Sequence, residues 1–131
     1  MRIPHIRLAL IVALCCTLGA PALGQTAAET AGCEKAESTA AMRQCEIGRL
    51  KRAEEGMNAA YRSLRAKLDQ RGREKLRAAQ QAWLKFRAAE ADYQADAARD
   101  GTLAPLIAAS VQADLTEARR RELEKAAQEH K

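Results

Sequence analysis

Residues 73–99 read REKLRAAQQAWLKFRAAEADYQADAAR, a stretch without proline or glycine. Leu76, Ala79, Trp83, Phe86, Glu90, Tyr93 and Ala97 recur in it at alternating steps of three and four. That spacing draws one stripe along an α-helix, whereas a half-buried strand would alternate every second residue. The stretch therefore predicts a helix from about Arg73 to Arg99. Turn-forming residues bound it on both sides: Gln70-Arg71-Gly72 before it and Asp100-Gly101-Thr102 after it. Gly101 suits a left-handed C-terminal cap.

The same periodicity extends outward in both directions. From about Ser38 to Leu68 the apolar positions are Met42, Cys45, Leu50, Ala53, Met57, Tyr61, Leu64 and Leu68, stepping by three and four from Leu50 onward. Ser38 or Thr39 can cap this helix by accepting an orphan backbone N–H. Gly48 and Gly56 each cost a helix interior about 1 kcal/mol relative to alanine. Their spacing of eight leaves two readings, close approach of another segment or plain tolerance. A third helix begins near Thr102, with Leu103, Ile107, Val111, Leu115, Ala118 and Glu122 along one side. Pro105 falls in its first turn, where a missing N–H costs nothing. Short connections favour antiparallel neighbours, so the expected fold is all-α, an antiparallel three-helix bundle running up, down and up. Alanine at facing positions permits close packing, with Tyr61, Trp83, Phe86 and Tyr93 expected to fill the remaining core volume.

Composition sets the limits. The chain has 131 residues and is 47% hydrophobic, but 30 of the residues counted are alanine and only four are aromatic. One small domain is the ceiling at this length, and large cofactor folds are excluded. Residues 1–24 read as a secretory signal peptide: Arg2, His5 and Arg7, then an apolar run of 11 from Leu8 to Leu18, then small residues with Pro21. Cleavage is expected before Gln25. The run is short for a bilayer span, so no stable membrane span is expected after cleavage. Cys15 and Cys16 would leave with the leader, and Leu14 is a poor residue to precede a lipid-modified cysteine. The expected location is the periplasm or outside the cell.

Removing the leader leaves 107 residues with 20 Lys/Arg and 17 Asp/Glu, a net charge of +3. Of these residues, 67 are Ala, Glu, Lys, Leu or Arg, which favours long helices, and only 20 are larger apolar side chains. Balanced charge and clear periodicity oppose disorder. So thin a core would gain from a staple, and Cys33 and Cys45 are the candidates. On one straight helix their Cα atoms would lie about 18 Å apart, far beyond disulfide reach, so pairing requires residues 32–37 to fold back on the first helix. An oxidising compartment favours the pair, and two free thiols are the alternative. Metal binding has little support, since the only histidine after the leader is His130.

Several short motifs occur in a recognisable order. Met57-Asn58-Ala59-Ala60-Tyr61 resembles the Leu-Asn-x-x-Tyr segment of the lysozyme inhibitor LprI family. Gln80, Trp83, Phe86 and Arg87 match that family's Ala-Gln-x-x-Trp-x-x-aromatic-Arg stretch, and Leu115-Thr116-Glu117-Ala118-Arg119 matches its closing Leu-Thr-x-x-Arg. Cys33, and Cys45 shortly after Met42, complete the likeness, which covers about residues 33–123. The family usually carries two more cysteines, at positions that look like Ala91 and Val111 here. Their joint absence implies that they pair with each other elsewhere in the family, and it supports Cys33–Cys45 as a self-sufficient disulfide. The organisation implied is a leader over 1–24, an N-terminal segment over 25–37 tied to the first helix, and a helical domain over 38–125.

The resemblance implies a small non-enzymatic envelope protein that binds a lysozyme or another envelope protein; a periplasmic chaperone-like or envelope-stress binding module is the alternative. No Ser-His or Cys-His pairing and no cluster with metal-ligand spacing supports an enzyme, and no cofactor is implied. Arg119-Arg120-Arg121 fans around its helix among glutamates, a poor nucleic-acid reader, so no nucleic-acid partner is expected. Arg87 can stack on Trp83 or reach the third helix. It, Thr116 and Arg119 read as structural, with Asp92, Asp114 or Glu122 available as partners, and Asn58 reads as an interhelical donor. A charge of +3 opposes encounter with a basic lysozyme. The segment 25–37 and the turn 100–105 are the expected contact loops, where charge reversal should weaken inhibition.

Overall fold

The computed structural model describes residues 32–130, so the expected leader and residues 25–31 lie outside the described part. Three α-helices follow in order: α1 over Thr39–Lys67, α2 over Gln70–Ala95 and α3 over Ala104–Glu129, with a short 3-10 turn over Asp96–Ala98. Ser38 caps α1, its side chain accepting from the Ala41 amide at 3.2 Å. Pro105 sits in the first turn of α3 as expected.

Both turns differ in detail from the sequence reading. The first break is only Leu68-Asp69. Asp69 caps α2 by accepting from the Gly72 amide at 2.7 Å, so Gln70, Arg71 and Gly72 belong to the helix. At the second, Asp100 takes the left-handed conformation at φ 70° and no described glycine has positive φ. A short polar side chain tolerates that region, which frees Gly101 from the capping role expected of it.

Contacts fix the topology. Arg49 reaches Asp114, and Lys67 reaches the carbonyl of Ala127, so α1 and α3 run parallel. Gln80 meets both Met57 and Arg119, and Arg87 meets both Glu54 and Thr116, so α2 runs antiparallel to both. The bundle is the expected up-down-up form. It is uneven, however: α1 and α3 lie close along their lengths, α2 packs less extensively on α3, and it makes few close backbone approaches to α1.

Small side chains account for the tight pair. Ala53 and Ala60 of α1 and Ala109, Ala113 and Ala127 of α3 are buried. One apolar cluster of Met57, Ala60, Leu64, Leu123 and Ala127 lies toward the α1–α2 end, with Tyr61, Leu68, Leu76 and Trp83 against it. Gly56 belongs to the same close approach. A Cβ there would stand 2.6 Å from Cδ of Arg120, whereas one on Gly48 would meet nothing closer than 3.5 Å.

Two helices are rotated from the faces read in the sequence. Phe86 and Tyr93 are 52% and 75% exposed, so they do not fill the core; Ala91 and Ala95 turn inward instead. A strict three–four alternation follows a 3.5-residue period and drifts about 20° per heptad around a 3.6-residue helix, so a stripe begun at Leu76 and Trp83 has turned outward by Tyr93. Leu103, just ahead of α3, is exposed, and Ala109, Ala113, Thr116 and Leu123 of α3 face inward, because the smaller residues allow the approach to α1.

Ahead of α1 the chain folds back, with hydrogen bonds from Lys35 N to Gly32 O and from Ala36 N to Cys33 O. Cys33 is buried and bonded to Cys45, their Cα atoms 5.4 Å apart. Closing this short loop stabilises the fold by about 3 kcal/mol on the chain-entropy account. Reduction should therefore shift urea denaturation by roughly that amount; superimposable oxidised and reduced curves would show that the loop contributes nothing. A second comparison isolates the α1–α3 approach. Gly48→Ala should gain up to about 1 kcal/mol of helix propensity, whereas Gly56→Ala should lose stability by displacing Arg120. Equal gains at both sites would contradict the close approach.

Candidate functional site

The motif residues of α2 and α3 converge on one cluster between the helices. Arg87, its side chain 13% exposed, donates through Nη1 to Glu54 Oε1 at 2.9 Å and to Thr116 Oγ1 at 2.8 Å. Thr116 is fully buried, and its hydroxyl donates a hydrogen bond to the Gln112 carbonyl at 2.6 Å, bonding back within α3. One guanidinium thus joins all three helices.

Trp83 lies one turn before Arg87, so the two share a side of α2. The Arg87 guanidinium carbon is 5.4 Å from the indole centroid and that of Arg119 is 5.9 Å away, both within cation–π range. Gln80 extends the chain of contacts: its Oε1 accepts from Arg119 Nε at 3.1 Å and its Nε2 donates to the sulfur of Met57 at 3.3 Å. Arg119 also pairs with Glu122 at 2.9 Å. Arg87 Nε is buried without a hydrogen-bond partner among the described residues, which leaves the aromatic contact as a compensating interaction for that edge of the guanidinium.

Six motif residues therefore form one network: Met57, Gln80, Trp83, Arg87, Thr116 and Arg119. The other three lie apart. Tyr61 packs on the apolar cluster, Phe86 is exposed, and Asn58 faces solvent rather than bridging helices. Of the carboxylates expected as arginine partners, Glu122 serves Arg119 while Asp114 serves Arg49. Glu54 was not anticipated; only the three-dimensional register of α1 against α2 brings it to Arg87.

A second arginine centre was missed by sequence reading. Arg49 of α1 is buried beside Glu46, Asp114 and the Ser110 carbonyl, with distances of 2.8, 2.7 and 3.3 Å. Burial alone lowers its pKa, but the hydrogen bonds and charges of Asp114 and Glu46 outweigh that and hold it above the usual value. A groove of about 500 Å³ lies beside this clasp, walled by Met42, Leu106, Ile107 and Val111 next to Cys33. The donors of Arg49 are committed within the protein, so the groove offers chiefly apolar wall. Among the described residues no group of three or more His, Cys, Asp or Glu is placed to hold a metal ion. No described helix is long and apolar enough to cross a membrane.

The geometry makes the Arg87 tie testable. Arg87→Lys keeps the charge but loses the planar fork that serves two acceptors, and should cost roughly 2 kcal/mol, reduced from a fully buried pair by the exposure of Glu54. Thr116→Val keeps the shape but removes an acceptor, and should cost about 1 kcal/mol. Chemical denaturation reads both, and a neutral outcome at Arg87 would remove the tie from the account.

Comparisons with curated proteins and with solved structures found no match. The family model of the lysozyme inhibitor LprI matches residues 30–123, which include Cys33, Cys45 and the whole Arg87 cluster. On that match the chain belongs to the lysozyme inhibitor LprI family.

Proposed function

We propose that this protein is a secreted or periplasmic inhibitor that acts by binding a lysozyme, with no catalytic chemistry of its own. The family match over residues 30–123 is the observation that carries this reading. The disulfide fits an oxidising compartment, as does the leader read in residues 1–24. In this reading Gln80, Trp83, Arg87, Thr116 and Arg119 hold the helices at fixed rotation, and recognition belongs to the outer surface. Asn58 and Phe86 are the motif residues free to take part in it.

A second reading, a periplasmic chaperone-like module, draws on one observation: Phe86, Tyr93 and Leu103 are exposed large side chains on a small protein. Such residues suit capture of an apolar client. One pair of assays separates the two. Mature protein spanning residues 25–131 should slow cell-wall lysis by at least one of several structural types of lysozyme, saturating at a defined stoichiometry. Failure against all of them, with suppressed aggregation of an unfolded client at substoichiometric amounts, would replace the first reading by the second.

A further inference from the structure

The charges on the first two turns of α2 are placed against the stability of the helix. Arg71, Lys75 and Arg77 are exposed, and their side chains make no hydrogen bond or ion pair with described residues. The first turn of α2 contains no acidic residue, although the N-terminal end of a helix carries partial positive charge and favours acids. Arg71–Lys75 and Arg73–Arg77 are also like-charge pairs at i,i+4, which destabilise a helix. Arg73 has a structural duty, donating to the Leu68 and Arg65 carbonyls at 2.8 and 3.2 Å. Arg65 and Lys67 suit the negative C-terminal end of α1. Nothing of that kind accounts for Arg71, Lys75 and Arg77. In α3, by contrast, Arg119, Arg120 and Arg121 each have a glutamate partner.

These residues stand at one pole of the molecule. Residues 62–77 hold seven Lys/Arg against Asp69 and Glu74, and the adjoining end of α3 adds Arg121 and Lys125 against Glu122, Glu124 and Glu129, which leaves the pole basic; residues 90–100, at the other end of α2, hold Glu90, Asp92, Asp96 and Asp100 against Arg99. The turn 100–105, expected from the sequence to make contact, begins at the acidic pole. A shallow hollow at the basic pole is lined by Arg65, Gln70, Arg73, Glu74 and Arg77.

We infer that the basic end of the α1–α2 hairpin is the surface that meets a lysozyme's substrate cleft, with Arg71, Lys75 and Arg77 engaging its carboxylates. The inference rests on the inhibitor reading above. A lysozyme cleft presents two carboxyl groups flanking the scissile bond, and guanidinium forks match carboxylates in geometry as well as charge. A concentrated basic pole also reconciles the net positive charge of the mature chain with a basic lysozyme: attraction to the cleft carboxylates acts at short range, inside the screening length that mutes repulsion from the rest of the surface.

The test is the double variant Arg71→Glu/Arg77→Glu beside a control of equal charge change, Arg43→Glu/Lys51→Glu, on exposed positions in the N-terminal half of α1 and outside the loops 25–37 and 100–105. Each protein is assayed for lysozyme inhibition at low and high salt and for thermal unfolding. The hairpin variant should require about tenfold or more protein for half-inhibition. It should also melt about 2–5 °C above wild type, because its substitutions relieve the opposed helix dipole and the like-charge pairs. The control should inhibit as wild type does, and salt should weaken wild-type inhibition. Undiminished inhibition by the hairpin variant, or a melting temperature below wild type, overturns this inference alone. Wild-type protein that inhibits no lysozyme overturns the functional reading and this inference together.

Discussion

The guanidinium of Arg87 lies between Glu54 of α1 and Thr116 of α3, and the attachment of α2 depends on it more than on any apolar contact. α1 and α3 need no such device, since buried alanines let their backbones approach and the burial of Met57, Leu64 and Leu123 follows. α2 contributes only Ala91 and Ala95 as fully inward residues, and alanine removes little area from water. Leu76 and Trp83 add partly buried surface. Hydrogen bonds to a charged group are worth about 1.5–3 kcal/mol each, reduced here because Glu54 is 41% exposed. In a domain whose whole stability is about 5–15 kcal/mol, that contribution decides how α2 sits.

The tie also sets the rotation of α2, the feature that sequence periodicity misread. Two overlapping stripes on α2 share Leu76 and Trp83. One continues through Phe86 and Tyr93, the other through Arg87, Ala91 and Ala95. Hydrophobicity selects the first and the structure takes the second, because Arg87 must point inward to reach two acceptors on different helices. Where the cues were local they were legible: the Ser38 cap, Pro105 in the first turn, the order of the helices and the pairing candidates Cys33 and Cys45. Where the answer lay in the register between helices it was not. Glu54 as the partner of Arg87, the Arg49 clasp with Asp114, and the exposure of Asn58 all depend on contacts between residues more than 20 positions apart or on their absence. Of the candidate site, the motif spacing was visible, but its division into an inward network and outward residues was not.

That division bears on function. Motifs that define a family invite reading as a binding site, yet Gln80, Arg87, Thr116 and Arg119 here spend polar groups on partners within the protein, and Trp83 lies against the two arginines. In the inhibitor reading proposed above, recognition belongs to a surface whose shape the inner network maintains. The disulfide acts in the same sense at the far end, holding the segment before α1 against the α1–α3 pair. A lean core with polar ties suits a small protein that must present a fixed face without the apolar volume of a larger domain.

Native-state hydrogen exchange on the oxidised wild-type protein shows whether α2 is held to a tighter α1–α3 pair chiefly by polar contacts. Amides in the middle of α2 should then open as a unit at a lower free energy than those in the middle of α1 and α3, which share the global value. Exchange of all three helices at one common free energy would contradict it, placing α2 within the same cooperative core as its neighbours.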